Sequence, residues 1–97
     1  MEQRKARRFD LRLPFELVRG GARQLSHSGE TRNLSSVGVL FQSEAHLRIG
    51  EPVEYVITLP SSPNPGVSVR IHCLGKVVRM ADRTEVAATL ERYEFVR

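Results

Sequence analysis

Hydrophobic and polar residues alternate along most of this chain, most clearly near its start. Phe9, Leu11, Leu13, Phe15 and Leu17 are apolar, with Asp10, Arg12, Pro14 and Glu16 between them. That is the period-two pattern of a half-buried strand. Gly20-Gly21 supplies turn chemistry, and the polar stretch 22–32 predicts an exposed returning strand. A short apolar run, Val39 to Gln42, follows Gly38, and Gly50-Glu51-Pro52 punctuates the chain before Val53, Tyr55, Ile57 and Leu59 alternate again. The segment Pro60-Ser61-Ser62-Pro63-Asn64-Pro65-Gly66 predicts a surface loop, because its prolines remove donors and restrict the residues before them. Val67, Val69, Ile71 and Cys73 resume the alternation, Gly75 predicts a bulge or bend, and Val77-Val78 continue the strand. Asp82-Arg83 marks a turn, Glu85 to Leu90 reads as a further strand, and Glu91 to Val96 reads as a short terminal helix or an irregular tail.

No long stretch carries a 3.6-residue period. Five or six short strands with regular turn signals predict an all-β domain, either an antiparallel barrel or a small sandwich. A barrel has the advantage of removing exposed strand edges. At 97 residues and 11.0 kDa the chain has room for one core, since two would each be too small to offset chain entropy.

Charge adds a direction. Fifteen Lys and Arg face eleven Asp and Glu, a net of +4. Residues 1–12 hold Arg4, Lys5, Arg7, Arg8 and Arg12 against Glu2 and Asp10, a net of +3, so the remaining chain contributes only +1. The excess sits ahead of the first strand and favours an anionic partner. The single cysteine, Cys73, has no internal disulfide partner, and His27, His46 and His72 lack metal-ligand spacing. No apolar run is long enough to span a bilayer, and no signal-like segment follows the charged N-terminal residues. These features predict a cytoplasmic protein without a metal or bound cofactor. Asn33-Leu34-Ser35 fits a glycosylation acceptor, a match without meaning off the secretory route. No nucleophile elbow, glycine-rich phosphate loop or carboxylate pair emerges, so no catalytic residue is assigned and a non-enzymatic role is expected.

Two local features remain. Arg4 and Arg8 stand four apart in a basic segment that runs directly into the first strand. Spacing alone distinguishes nothing, because Arg8 with Arg12, Arg19 with Arg23 and Arg79 with Arg83 share it. The second feature is Asn33-Leu34-Ser35-Ser36-Val37-Gly38, a polar turn entering a strand. Asn and Ser offer donors and acceptors, and Gly allows a sharp turn and close approach of a ligand. Its bland reading is an Asx or Ser turn capping a strand.

In this order the two features resemble the PilZ domain family of bacterial cyclic di-GMP receptors. That family carries an RxxxR motif before the first barrel strand and a (D/N)xSxxG motif after the second. Arg4-Lys5-Ala6-Arg7-Arg8 resembles the first motif and Asn33 to Gly38 the second. Arg4 and Arg8 are preferred to Arg8 and Arg12 because Arg8 immediately precedes the alternating strand. Gly75-Lys76-Val77-Val78-Arg79 is similar to the family's late G-x-V-V-R strand, and Glu85 to Leu90 to its closing strand, with Ala87 where many members have glycine.

The resemblance implies a six-stranded antiparallel β-barrel of split-barrel type, residues 9–97, preceded by a flexible basic ligand-clamp segment, residues 1–8. It implies that Arg4 and Arg8, assisted by Arg7, contact the guanines and phosphates of cyclic di-GMP. Asn33 and Ser35 would bond one guanine while Gly38 holds the turn. Ligand binding would fold the arm over the barrel and present a changed surface to an unidentified downstream protein, from a monomer or a ligand-dependent dimer. The alternatives are a PilZ-like adaptor that binds a protein without nucleotide and a small basic barrel that binds nucleic acid. The near-even charge of residues 13–97 and the separation of Tyr55 from Tyr93 count against the last.

Overall fold

The computed structural model describes residues 12–44, 46–60, 68–81 and 84–96. Seven strands follow one another: β1 (Pro14–Gly20), β2 (Arg23–Leu34), β3 (Gly38–Gln42), β4 (Pro52–Pro60), β5 (Ser68–Ala81), β6 (Glu85–Thr89) and β7 (Arg92–Val96). Every pairing is antiparallel. The order β4-β1-β2-β3-β6-β5 closes through a β4–β5 pairing, so six strands form a barrel and β7 adds a seventh beside β5. The barrel reading therefore holds over the sandwich.

Two long strands make closure possible. β2 pairs with β1 through Arg23 to Glu30 and with β3 through Thr31 to Leu34. Along one edge β5 pairs continuously with β4, from Ser68 to Lys76. Along its other edge Arg70 to Leu74 pair with β7, and Val77 to Ala81 pair with β6.

The alternation read from the sequence sets the core. Leu13, just ahead of β1, and Phe15 and Leu17 within it meet Val39 and Phe41, Val53, Tyr55 and Ile57, Cys73 and Val77, and Val86 and Ala88. Burying these side chains stabilises the barrel by roughly 1.5–3 kcal/mol for each large one. Phe15 stacks on Phe41 with ring centroids 4.2 Å apart and on Tyr55 at 5.4 Å, which ties β1, β3 and β4 together. Tyr55 is fully buried, and its hydroxyl donates to the Thr89 carbonyl at 2.9 Å. Burial, reinforced by the nearby Cys73 and Glu91, pushes the phenol far above its ordinary range and keeps that donor protonated. Thr31, also buried, accepts from the Leu13 amide through Oγ1 at 2.9 Å, while its own amide donates to the Leu13 carbonyl at 2.9 Å.

Three expectations change. The segment predicted as a terminal helix or irregular tail is strand β7, because residues 70–74 of β5 would otherwise leave an open edge and Tyr93 and Phe95 share a period-two face. The bulge expected at Gly75 lies at Val78, where the β5–β6 register slips, while the ladder with β4 runs unbroken through Gly75. A Cβ at Gly75 would lie 1.8 Å from the Thr89 carbonyl oxygen, so glycine is needed there for close approach of two backbones. His72, which its alternation with Ile71 and Cys73 places on the exposed face, is half-buried and bonds Glu54 through Nε2. Pro60, placed in the predicted loop, ends β4 opposite Ser68; the rest of that loop, Ser61 to Gly66, the predicted strand start at Phe9 to Leu11 and the Asp82-Arg83 turn lie outside the described residues.

Two tests follow from this packing. Gly75→Ala should lower stability by at least about 2–3 kcal/mol, since the overpacked neighbour is a held backbone atom. In a melt monitored by circular dichroism this is a fall of roughly 10–20 °C. Gly29→Ala, whose Cβ would meet only the Gln42 carbonyl at 3.4 Å, serves as the control; equal melting of the two variants would refute the close-approach account. Burial also pushes the Cys73 thiol up to about 12 from an ordinary 9.0. The buried neutral thiol therefore favours the folded state fully below about pH 9, and that contribution is lost as pH rises from 9 toward 12. At pH 8 iodoacetamide should label Cys73 only along the urea unfolding curve, and rapid labelling of native protein would contradict its burial.

Candidate functional site

The polar turn after β2 owes its geometry to one extra residue. Thr31 opposes Phe41 and Asn33 opposes Leu40, so Arg32 is a bulge in β2. Were the same residues in an unbulged strand, alternation would send Asn33 inward beside Thr31. With the bulge, Asn33 sits on the face of Leu40, and Leu34 packs against the core. Asn33 makes no side-chain hydrogen bond to other described residues.

Ser35 closes the turn on itself. Its amide donates to the Gly38 carbonyl at 2.9 Å, its Oγ accepts from the Val37 amide at 3.2 Å, and its hydroxyl lies 3.4 Å from the Gly38 carbonyl. The Val37 carbonyl accepts from the Leu90 amide at 2.8 Å, tying the tip to the end of β6. Ser36 and Val37 stay exposed. Gly38 was expected to supply a sharp turn, yet the positive-φ glycines among the described residues are Gly21 and Gly50. The requirement at Gly38 is space: a Cβ would lie 2.8 Å from the Ala88 carbonyl across the β3–β6 ladder.

Beside this turn the barrel wall opens. β6 pairs with β3, but after Leu90 the chain follows β5 as β7. The gap is a cleft of about 230 Å³. Leu34, Ser35 and Ser36 line one side, Leu90 and Tyr93 the other, and Ile57, Ile71 and Cys73 reach it from the interior. None of these residues carries a charge, so the cleft is apolar with a hydroxyl-bearing rim. Tyr93 is 59% exposed and meets Phe95 edge-to-face, with centroids 5.9 Å apart.

Basic groups stand near the turn. The Leu13–Thr31 hydrogen bonds extend the β1–β2 register, and one step further along that register Arg12 comes level with Arg32, both exposed. The structure thus gathers Asn33, Ser35 and Gly38 into one turn, with Arg12 level with Arg32 beside it. Arg4, Arg7 and Arg8 lie outside the described residues.

Sequence reasoning missed two members of this neighbourhood. Arg32 becomes adjacent to Arg12 only through the strand register. Tyr93 stands apart from Tyr55 in the sequence, and its alternation with Phe95 is the available signal of a strand. Among the described residues no cluster of His, Cys, Asp and Glu is arranged to hold a metal ion, and no helix is long and apolar enough to cross a membrane.

No curated protein matches the chain significantly. The family model for the PilZ domain matches residues 2–95, all but the first residue and the last two. A six-stranded barrel plus one strand, with an Asn-x-Ser-x-x-Gly turn between its second and third strands, agrees with that match, and the chain belongs to the PilZ domain family, a family of cyclic di-GMP receptors.

Proposed function

We propose that this chain binds cyclic di-GMP, with residues 1–8 acting as a clamp over the barrel, residues 9–97, and that the ordered arm signals to a protein partner. The observation that carries this reading is the Asn33–Gly38 turn, held at the rim of an uncharged cleft and next to the point where the basic N-terminal chain enters the first strand.

The chemistry of the turn suits a guanine edge. Guanine offers N1–H and N2–H donors, and the Asn33 carbonyl oxygen is a free acceptor beside the turn. Ser35 Oγ, with one lone pair engaged by Val37, retains a second. The phosphates need cations, which the cleft lacks. Arg4 and Arg8, with Arg7 assisting, supply planar guanidinium groups that bind phosphate bidentately and also pair with guanine O6 and N7. An extended chain spans at most about 3.6 Å per residue, so Arg8 remains within about 14 Å of Arg12 and within reach of the turn. A cleft of about 230 Å³ is smaller than the roughly 300–1,000 Å³ of sites that enclose a drug-sized ligand. It takes part of a dinucleotide, and the arm covers the remainder. Closure of the cationic arm over the barrel changes the charge the surface presents and gives a partner something to sense, and a ligand bridging two protomers would make dimerisation ligand-dependent.

Calorimetric titration with cyclic di-GMP tests the assignment. Binding is expected in the micromolar range or tighter, with Arg8→Ala weakening it by about 1.5–3 kcal/mol, the worth of a charge-assisted contact. Asn33→Asp should tighten it by about 0.5–1.5 kcal/mol, because a carboxylate accepts more strongly than an amide. No heat of binding, or an Arg8→Ala variant with undiminished affinity, would overturn the receptor reading.

A further inference from the structure

Tyr93 is a large aromatic side chain left 59% exposed on a strand whose described pairing is with β5 alone. Its neighbour Phe95 meets it edge-to-face at an interplanar angle of 88°, which fixes the orientation of the ring before anything binds. Across the cleft, Ser35 and Ser36 present hydroxyl and backbone groups, and Ile71 and Leu90 contribute apolar surface between the two sides. Such a site matches a planar heteroaromatic ring: apolar faces, and a polar edge directed to one side. It does not match a phosphate, for which no lining residue supplies a cation. Tyr55, the other tyrosine, is fully buried and unavailable.

We infer that Tyr93 is a stacking platform for one guanine of the ligand, and that the cleft between the Ser35–Ser36 turn and β7 is a base site. The inference rests on the receptor reading above and adds to it a residue on β7. With a guanine on Tyr93, its Watson–Crick edge turns toward Asn33 and Ser35, while the attached ribose and phosphate point out of the cleft toward Arg12 and Arg32. One residue then selects a flat base, and the turn selects which base.

The test is a calorimetric titration of the full chain with cyclic di-GMP, comparing wild type, Tyr93→Ala and Tyr93→Phe. Base–aromatic stacking is worth about 1–3 kcal/mol, so Tyr93→Ala should weaken binding roughly 5- to 140-fold, while Tyr93→Phe, which keeps the ring, stays within about threefold of wild type. Tyrosine fluorescence gives a second readout, because the chain has two tyrosines and no tryptophan. Saturating ligand should quench wild type and leave the Tyr93→Phe variant, whose emission comes from Tyr55, nearly unchanged. If Tyr93→Ala melts far below wild type, the wild-type and Tyr93→Phe quenching comparison decides. Wild type that binds while Tyr93→Ala binds equally well, or Tyr93→Phe that loses as much as Tyr93→Ala, overturns the stacking assignment and leaves the receptor reading standing. Wild type that does not bind overturns both.

Discussion

The carbonyl oxygen of Thr89 is the atom on which the closed wall depends. It accepts the hydroxyl of the buried Tyr55, and it occupies the place where a side chain on Gly75 would begin. The Lys76 amide donates to Thr89 Oγ1 at 3.0 Å, so the same residue is held from β5 through its side chain. These contacts fix where the chain leaves β6. On one side of that point β6 completes the ring between β3 and β5; on the other the chain runs on beside β5 as β7. The opening follows from this division. A barrel whose last strand continued along β3 would have no gap beside the Ser35 turn, and Tyr93 would have nothing to overhang.

The core was legible because its positions are local facts of the sequence. Leu13, Phe15 and Leu17, then Val53, Tyr55 and Ile57, each occupy every second position, and each set is buried. Period two says which face goes inward regardless of the partner strand. What escaped the sequence depends on partners. β7 exists because residues 70–74 of β5 need a second neighbour, and five residues with two charges and two aromatics do not announce that need by themselves. The role of Gly75 is likewise a matter of which atom comes close, and the spacing of glycines in a strand does not say.

The site divides in the same way. Asn33, Ser35 and Gly38 belong to one short motif and fall together, although the reason for Gly38 proved to be contact with Ala88 instead of turn geometry. Ser35 also shows that a bland and a functional reading are compatible: its hydroxyl stabilises the turn and still has an acceptor left over. The pairing of Arg12 with Arg32 and the position of Tyr93 come from register and topology, which no single stretch of sequence encodes. Charge located along the chain says more than net charge, since the described lining of the cleft is itself neutral.

The bulge in β2 makes the motif sensitive to backbone shape more than to the side chain at the bulge. Arg32 is exposed, so packing asks little of its side chain. The kink is another matter, because it sets whether position 33 or position 34 faces the interior. Straightening the strand at fixed length would drive an amide into the core and bring a leucine onto the outer face, with every motif letter still in order. A strand one residue shorter would keep the native facing, since Thr31, Asn33 and Leu34 would then alternate regularly opposite Phe41, Leu40 and Val39. Parity against β3, and not length alone, is what this turn preserves.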